Sequence, residues 1–244
     1  MFSHLLNKPG SSNCFTSDFD GSVGDPPDTD LFTQTELDGG LGALDGSGSL
    51  TYNSKDQGTH GDWYSRWRYN TTVGALDGDL WDVELSWSTS YFYSTAGPNW
   101  IAFLAFSKSA TSISNTNNLG VFGVSNLYVS PNFSLLRFYY TGILGRPVII
   151  GDTIATSTGA YSGKIRLKYL RVGAGITEIY MYHKIDGVDT EWQLMASTDM
   201  PVANTHYLHY GFATGSVVNN PDIRGHTSKI TRIHTLESVN VDCP

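Results

Sequence analysis

The sequence predicts an all-β, antiparallel fold, and three observations carry that reading. Apolar and polar residues alternate with a period of two in several runs, among them Lys164-Ile165-Arg166-Leu167-Lys168-Tyr169 and Lys229-Ile230-Thr231-Arg232-Ile233, as strands with one wet and one buried face require. Turn residues tie such runs together, Asp186-Gly187 being the clearest pair. Helix signals are weak throughout the 244 residues.

In chain order, Met1 to Ser12 is a short lead with a Pro9-Gly10 stop, and residues 1–13 are expected to form an arm, either disordered or docking. Residues 14–244 are expected to form one domain, because β-sandwiches of this length bury a full core without splitting. Leu31-Phe32-Thr33 and Gly48-Ser49-Leu50-Thr51-Tyr52 bracket a Gly-rich span. Strands follow at Trp63 to Tyr69, Leu80 to Trp87, Trp100 to Phe106, Gly120 to Val124, Ser134 to Tyr140 and Val148 to Ile150. The second half reads as strands at Lys164 to Tyr169, Ile179 to Tyr182, around Trp192, at His206 to Phe212 and at Lys229 to Ile233. Gly42-Ala43-Leu44-Asp45-Gly46 recurs as Gly74-Ala75-Leu76-Asp77-Gly78, which reads as two Asp-Gly turns, since nothing around the copies matches.

Composition narrows the partners. Charged residues are 16% and aromatics 13%, with Ser, Thr, Asn and Gly supplying the polarity. The formal charge is -8 and the basic residues form no cluster beyond Arg66 and Arg68, which argues against nucleic acid. No apolar run approaches the roughly 20 residues of a membrane helix, so membrane insertion is not expected. Met1 to Gly10 has neither the charged nor the apolar region of a secretory signal. An exterior-style composition without an export signal suggests a bacteriophage structural protein released by lysis, the alternative being a secreted, extracellular one.

The order of the second-half strands, with Asp186-Gly187, Trp192, the aromatic run His206-Tyr207-Leu208-His209-Tyr210-Gly211-Phe212 and a closing strand, resembles the laminin G-like jelly rolls of the concanavalin A-like lectin and glucanase superfamily. Asp18-Phe19-Asp20-Gly21 and Asp25-Pro26-Pro27-Asp28 are similar to the short first strand and acidic loop that open such domains. The resemblance spans about Cys14 to Cys243 and rests on pattern, with no invariant motif. It implies an antiparallel two-sheet jelly-roll sandwich whose first and last strands are neighbours. That neighbourhood would bring the two cysteines, Cys14 and Cys243, within bonding range; two free thiols are the other reading. It also implies a structural calcium at Asp20 or Asp25, against plain acidic turn residues. No other cofactor is expected.

Glucanases of this superfamily carry paired carboxylates on one strand face, in the patterns Glu-x-Asp-x-Glu or Glu-x-Asp-x-x-Glu. Leu80-Trp81-Asp82-Val83-Glu84 comes nearest, with Leu80 in the place of the first Glu; in the longer register Trp81 occupies the second slot. Asp82, Glu84 and Ser86 share a face, which reads as solvated, opposite Val83, Leu85 and Trp87 in the core. Sugar rings stack on aromatic faces and need amide partners, so Tyr91, Tyr93, Asn99, Trp100, Trp63 and Trp67 are candidate glycan contacts, a core role being the alternative for each.

His206 and His209 lack the two-residue spacing that aligns metal ligands on a strand. The expectation is a non-catalytic virion surface protein, a capsid decoration or tail and fibre component that attaches to host or environmental glycans. It would contact capsid or tail proteins and assemble as a symmetric homo-oligomer. A purely structural adapter and a polysaccharide depolymerase are the alternatives.

Overall fold

The computed structural model describes residues 14–37, 42–53, 63–73, 80–91, 99–111, 118–130, 133–141, 153–155, 159–173, 176–201, 206–214, 227–238 and 241–243. Among these residues there are sixteen strands and no helix. The first sheet has the order β13 (Gln193–Pro201), β12 (Ile176–Ile185), β11 (Gly159–Gly173), β6 (Leu80–Tyr91), β15 (Thr227–Ser238), β4 (Leu50–Asn53) and β3 (Gly42–Leu44). Two short strands, β1 (Thr16–Ser17) and β16 (Val241–Asp242), also pair with β15. The second sheet has the order β10 (Thr153–Ala155), β9 (Phe133–Thr141), β8 (Asn118–Ser130), β7 (Asn99–Ser107), β14 (His206–Thr214), β5 (Trp63–Val73) and β2 (Phe32–Leu37). The described pairings are antiparallel in both sheets.

The alternation sorts the side chains. Along β6, Trp81, Val83, Leu85 and Trp87 point into the core, and β11 adds Ile165, Leu167 and Tyr169. The second sheet meets them with Trp67 and Tyr69 from β5, Leu208, Tyr210 and Phe212 from β14, Leu104 and Phe106 from β7, and Phe122 and Val124 from β8. Burying an aromatic ring of about 200 Å² at about 25 cal/mol per Å² is worth roughly 5 kcal/mol, so a few such rings dominate the apolar contribution. Edge-to-face contacts order them, as between Phe106 and Tyr169, whose centroids are 5.3 Å apart.

Gly163 marks a close approach between strands. A methyl group there would sit 2.5 Å from the Lys184 carbonyl and 3.2 Å from the Trp87 ring, so only glycine lets β11 lie this close to β12. Gly46 and Gly48, at φ of 73° and 82°, turn the chain between β3 and β4, where Asp45 Oδ1 accepts from the Ser47 and Ser49 amides. The Asp186-Gly187 turn joins β12 to β13, with Gly187 at φ 75°.

Three expectations are corrected. The opening strand is Thr16–Ser17, ahead of Asp18 to Gly21, because its partners on β15 are Ile233 and His234. Trp192 does not lie on a strand; it stands immediately before β13. The second- and first-half strands at β8, β11 and β12 run longer than the alternation alone marks. Val148 to Ile150 and Asp77-Gly78 lie outside the described residues, as do residues 1–13.

The first and last described segments meet on β15. Phe15 and Thr235 exchange hydrogen bonds, the Thr235 amide donating to the Phe15 carbonyl at 2.9 Å and the Phe15 amide to Thr235 Oγ1 at 3.2 Å. The Cys243 amide donates to the Leu236 carbonyl at 2.9 Å. A disulfide joins Cys14 to Cys243 across 229 residues of sequence, with their Cα atoms 5.5 Å apart.

Candidate functional site: the outer face of the first sheet

Opposite the core, β6 presents Asp82, Glu84, Ser86, Ser88 and Ser90 in a row, since every second residue of a strand shares a face. Register places β11 on one side and β15 on the other. Asp82 lies across from Lys168, Glu84 from Arg166 and Ser86 from Lys164; on the far side Glu84 faces His234 and Ser86 faces Arg232.

The two carboxylates are neither solvated nor free. Asp82 is 0% exposed and Glu84 is 4% exposed. Arg166 grips Asp82 with two hydrogen bonds, Nε donating to Oδ1 at 2.6 Å and Nη2 to Oδ2. Lys168 Nζ lies 3.9 Å from the same carboxylate, and Lys164 Nζ is 2.7 Å from Glu84. The expectation of a solvated face is therefore corrected: long cationic side chains from β11 lie over the acids and close them off. The Asp82 hydrogen bonds raise the Arg166 pKa further above its ordinary value, and burial opposes them. Over that guanidinium stand two aromatic rings, Tyr182 at 5.3 Å and Trp192 at 5.8 Å.

Towards the other end of β6 the acids give way to hydroxyls, and the surface opens into a cavity of about 360 Å³. It is lined by Ser88, Ser90, Ala160, Ser162 and Lys229 from the outer face, and it reaches Thr89 and Tyr161 at the end of the sheet. Small side chains make the room: Ser88 sits between Ser162 on β11 and Lys229 on β15, and Ser90 is opposite Ala160. Ser162 donates to Asp186 at 2.6 Å, and Lys229 is 2.7 Å from Asp45. Burial favours the protonated form of Asp45, but the Lys229 ammonium and the Ser47 amide outweigh it and hold the carboxyl well below the usual range.

No protein-family model and no curated protein matches this chain. Solved structures do match it in shape. An endo-1,3-β-glucanase from Streptomyces sioyaensis superposes with a TM-score of 0.59 at 15% identity, over 96% of this chain and 98% of that one. The alginate lyase Aly36B, in complex with an alginate tetrasaccharide, gives 0.57 at 7% identity over 96% and 99%. A winged bean acidic lectin complexed with methyl-α-D-galactose gives 0.51 at 12% identity over 92% and 98%. The fold is concanavalin A-like. At such identities the likeness concerns the fold alone, and the chemistry must be read from this chain's own residues.

Within the concanavalin A-like sandwich, the residues expected to meet sugar separate. Trp67 is a core residue, 1% exposed and stacked on Tyr210 with ring centroids 5.8 Å apart, because β5 turns Trp67 and Tyr69 inward and Arg66 and Arg68 outward. Tyr93 lies outside the described residues, and Tyr91, Asn99, Trp100 and Trp63 are described by their backbones alone, at strand ends. The expected calcium ligands are Asp20 and Asp25. Asp25 Oδ2 closes a turn by accepting from the Ser22 amide at 3.1 Å, Asp20 is exposed, and no group of three or more His, Cys, Asp or Glu among the described residues is placed to hold a metal.

The outward serines of the run Ser86-Trp87-Ser88-Thr89-Ser90 carry a signal visible in sequence, their alternation with Trp87. Lys229, Ala160 and Ser162 had no such signal, since they reach the cavity only through register. The outer face of the second sheet is different. His209 there is 0% exposed and its Nε2 donates to the Ser109 carbonyl at 3.0 Å, while Arg66 Nη2 donates to the Thr111 carbonyl at 2.8 Å, so residues 108–111 close over that part of the face.

Proposed function

We propose that this concanavalin A-like chain is a non-catalytic carbohydrate-binding protein of a virion surface, with the cavity along β6 as its sugar site. One observation carries the reading: the two carboxylates nearest a glucanase pattern, Asp82 and Glu84, are buried under Arg166 and Lys164, while the adjoining stretch of the same face is an open, hydroxyl-lined cavity. A retaining glycosidase needs one carboxylate free to attack and another free to shuttle a proton. A sugar-binding site needs room for a ring and hydroxyl and amine partners, and Ser88, Ser90, Ser162 and Lys229 supply these in a volume suited to a small ligand. The fold likeness to a lectin complexed with a galactoside supports the same class of ligand.

The particle location rests on composition alone: few charges, many Tyr, Ser, Thr and Gly, and net negative charge. Host or environmental glycans would be the partners on one side and capsid or tail proteins on the other. A glycan array probed with the purified chain tests the binding, and Ser88→Tyr should abolish whatever signal appears by filling the cavity. Mass spectrometry of purified particles tests the location; absence of the chain from virions would remove that part.

The likeness to a glucanase and a lyase supports a second reading, a polysaccharide depolymerase. Release of reducing or unsaturated ends from capsule polysaccharide would favour it. If Glu84→Gln left that release intact, the chemistry would belong to other residues.

A further inference from the structure

We infer that the cavity along β6 takes an acidic saccharide, one whose rings carry carboxylate or sulfate groups; this rests on the reading of that cavity as a sugar site. The chain is acidic overall, at -8, yet basic residues gather here, with Asp186, which accepts from Ser162, as an exposed carboxylate at the cavity wall. Lys229 lines the cavity itself. Next along β6, Ser86 is flanked in register by Lys164 on β11 and Arg232 on β15, and Lys184 follows Lys164 on β12.

These cations have partners, but in two of three pairs the cation is the outer member. The Lys164 side chain is 41% exposed over a Glu84 side chain that is 6% exposed, and Lys229 is 37% exposed against 18% for Asp45. A buried carboxylate under an exposed ammonium neutralises the site without meeting the ligand. The third pair, Arg232 with Asp18 at 3.2 Å, is exposed on both sides at 45% and 55%, so a ligand anion exchanges for Asp18 at little cost.

A second feature points to a hydroxylated ligand rather than a bare anion. Ser88, Ser90 and Ser162 present their hydroxyls to the cavity from the outer face, beside Lys229. Side-chain hydroxyls both donate and accept, so they can exchange hydrogen bonds with ring hydroxyls that a bare anion lacks. The combination of a hydroxyl-bearing floor and a cationic rim fits a charged sugar.

Calorimetry on the purified, disulfide-intact chain tests this with three probes of equal length: an oligouronate, a sulfated oligosaccharide and a neutral gluco-oligosaccharide. Charge-assisted hydrogen bonds predict that at least one acidic probe binds about tenfold more tightly than the neutral one at low salt. The gap should shrink as salt rises and should narrow in Arg232→Gln. Comparison of the uronate and sulfate arms identifies the substituent. Equal or tighter binding of the neutral probe overturns the acidic preference and leaves the sugar site standing. Unchanged binding in Ser88→Tyr, or no binding by any probe, overturns both.

Discussion

Arg166 holds Asp82 through a two-pronged contact that bridges β11 and β6, with the carboxylate 0% exposed and the guanidinium capped by Tyr182 and Trp192. A buried charge is tolerable only while its partner stays. Arg166→Leu should therefore lower the unfolding free energy by about 3 kcal/mol, the distant Lys168 compensating only in part. The double substitution Asp82→Leu with Arg166→Leu should regain most of that loss, because no stranded charge remains. Urea unfolding of wild type, both single variants and the double variant measures the coupling; a single variant as stable as wild type would show that the pair is dispensable.

His209 makes stability depend on pH. Burial, with Arg66 and Arg68 nearby, lowers its pKa from 6.5 to about 4 against the pull of the Ser109 carbonyl. The unfolded chain then binds more protons than the folded one between these values, so the contribution is complete above about pH 6.5 and is lost as pH falls towards 4. A shift of this size corresponds to about 3 kcal/mol at most. His209→Gln should flatten that part of the stability curve measured by chemical unfolding from pH 7 to pH 4. A slope unchanged by the substitution would assign the acid sensitivity to other groups.

The outline of the fold was legible because alternation in β6, β11, β14 and β15 is a local property. Trp81, Val83, Leu85 and Trp87 announce which side of β6 is dry. What local pattern cannot state is which residue stands opposite. Asp82 reads as a surface acid until Arg166, 84 residues later, lies over it. The opening strand is hidden from local pattern for the same reason, since Thr16 and Ser17 become a strand only through β15. Trp67 and Arg66 alternate as any strand residues do, and the sequence pattern did not decide that the tryptophan takes the inner side. The cavity followed this rule too: its serines were visible, but its two other walls come from β11 and β15.

Tyr210 places a hydroxyl in the core without a hydrogen-bond partner, 0% exposed and stacked on Trp67. Burial pushes its pKa well above 10.0, so it should remain protonated in an alkaline titration that ionises exposed tyrosines. Removal of an unsatisfied buried hydroxyl relieves a desolvation cost. Tyr210→Phe should therefore leave stability unchanged or raise it by about 1 kcal/mol. A loss of 1 kcal/mol or more on urea unfolding would mean that an ordered water satisfies this hydroxyl.

The Cys14–Cys243 disulfide closes nearly the whole chain into one loop, at a point where β1 and β16 are only two residues each. Strands that short contribute few hydrogen bonds, so the bond's main effect is on the unfolded chain, whose ends it keeps together. In the entropic model a loop of this length is worth about 5 kcal/mol, an upper bound if the unfolded chain is already compact. The replacement of both cysteines by serine should lower the melting temperature by about 10 °C, given the size of the chain. Reduction of the wild-type chain should reproduce that melting temperature, because both treatments remove the same constraint. The inner strands should keep their structure after reduction, since β6, β11 and β15 do not depend on the chain ends for their pairing. Far-ultraviolet circular dichroism at moderate temperature checks this, and collapse of the β signal on reduction would show that the ends are needed for the sheet itself.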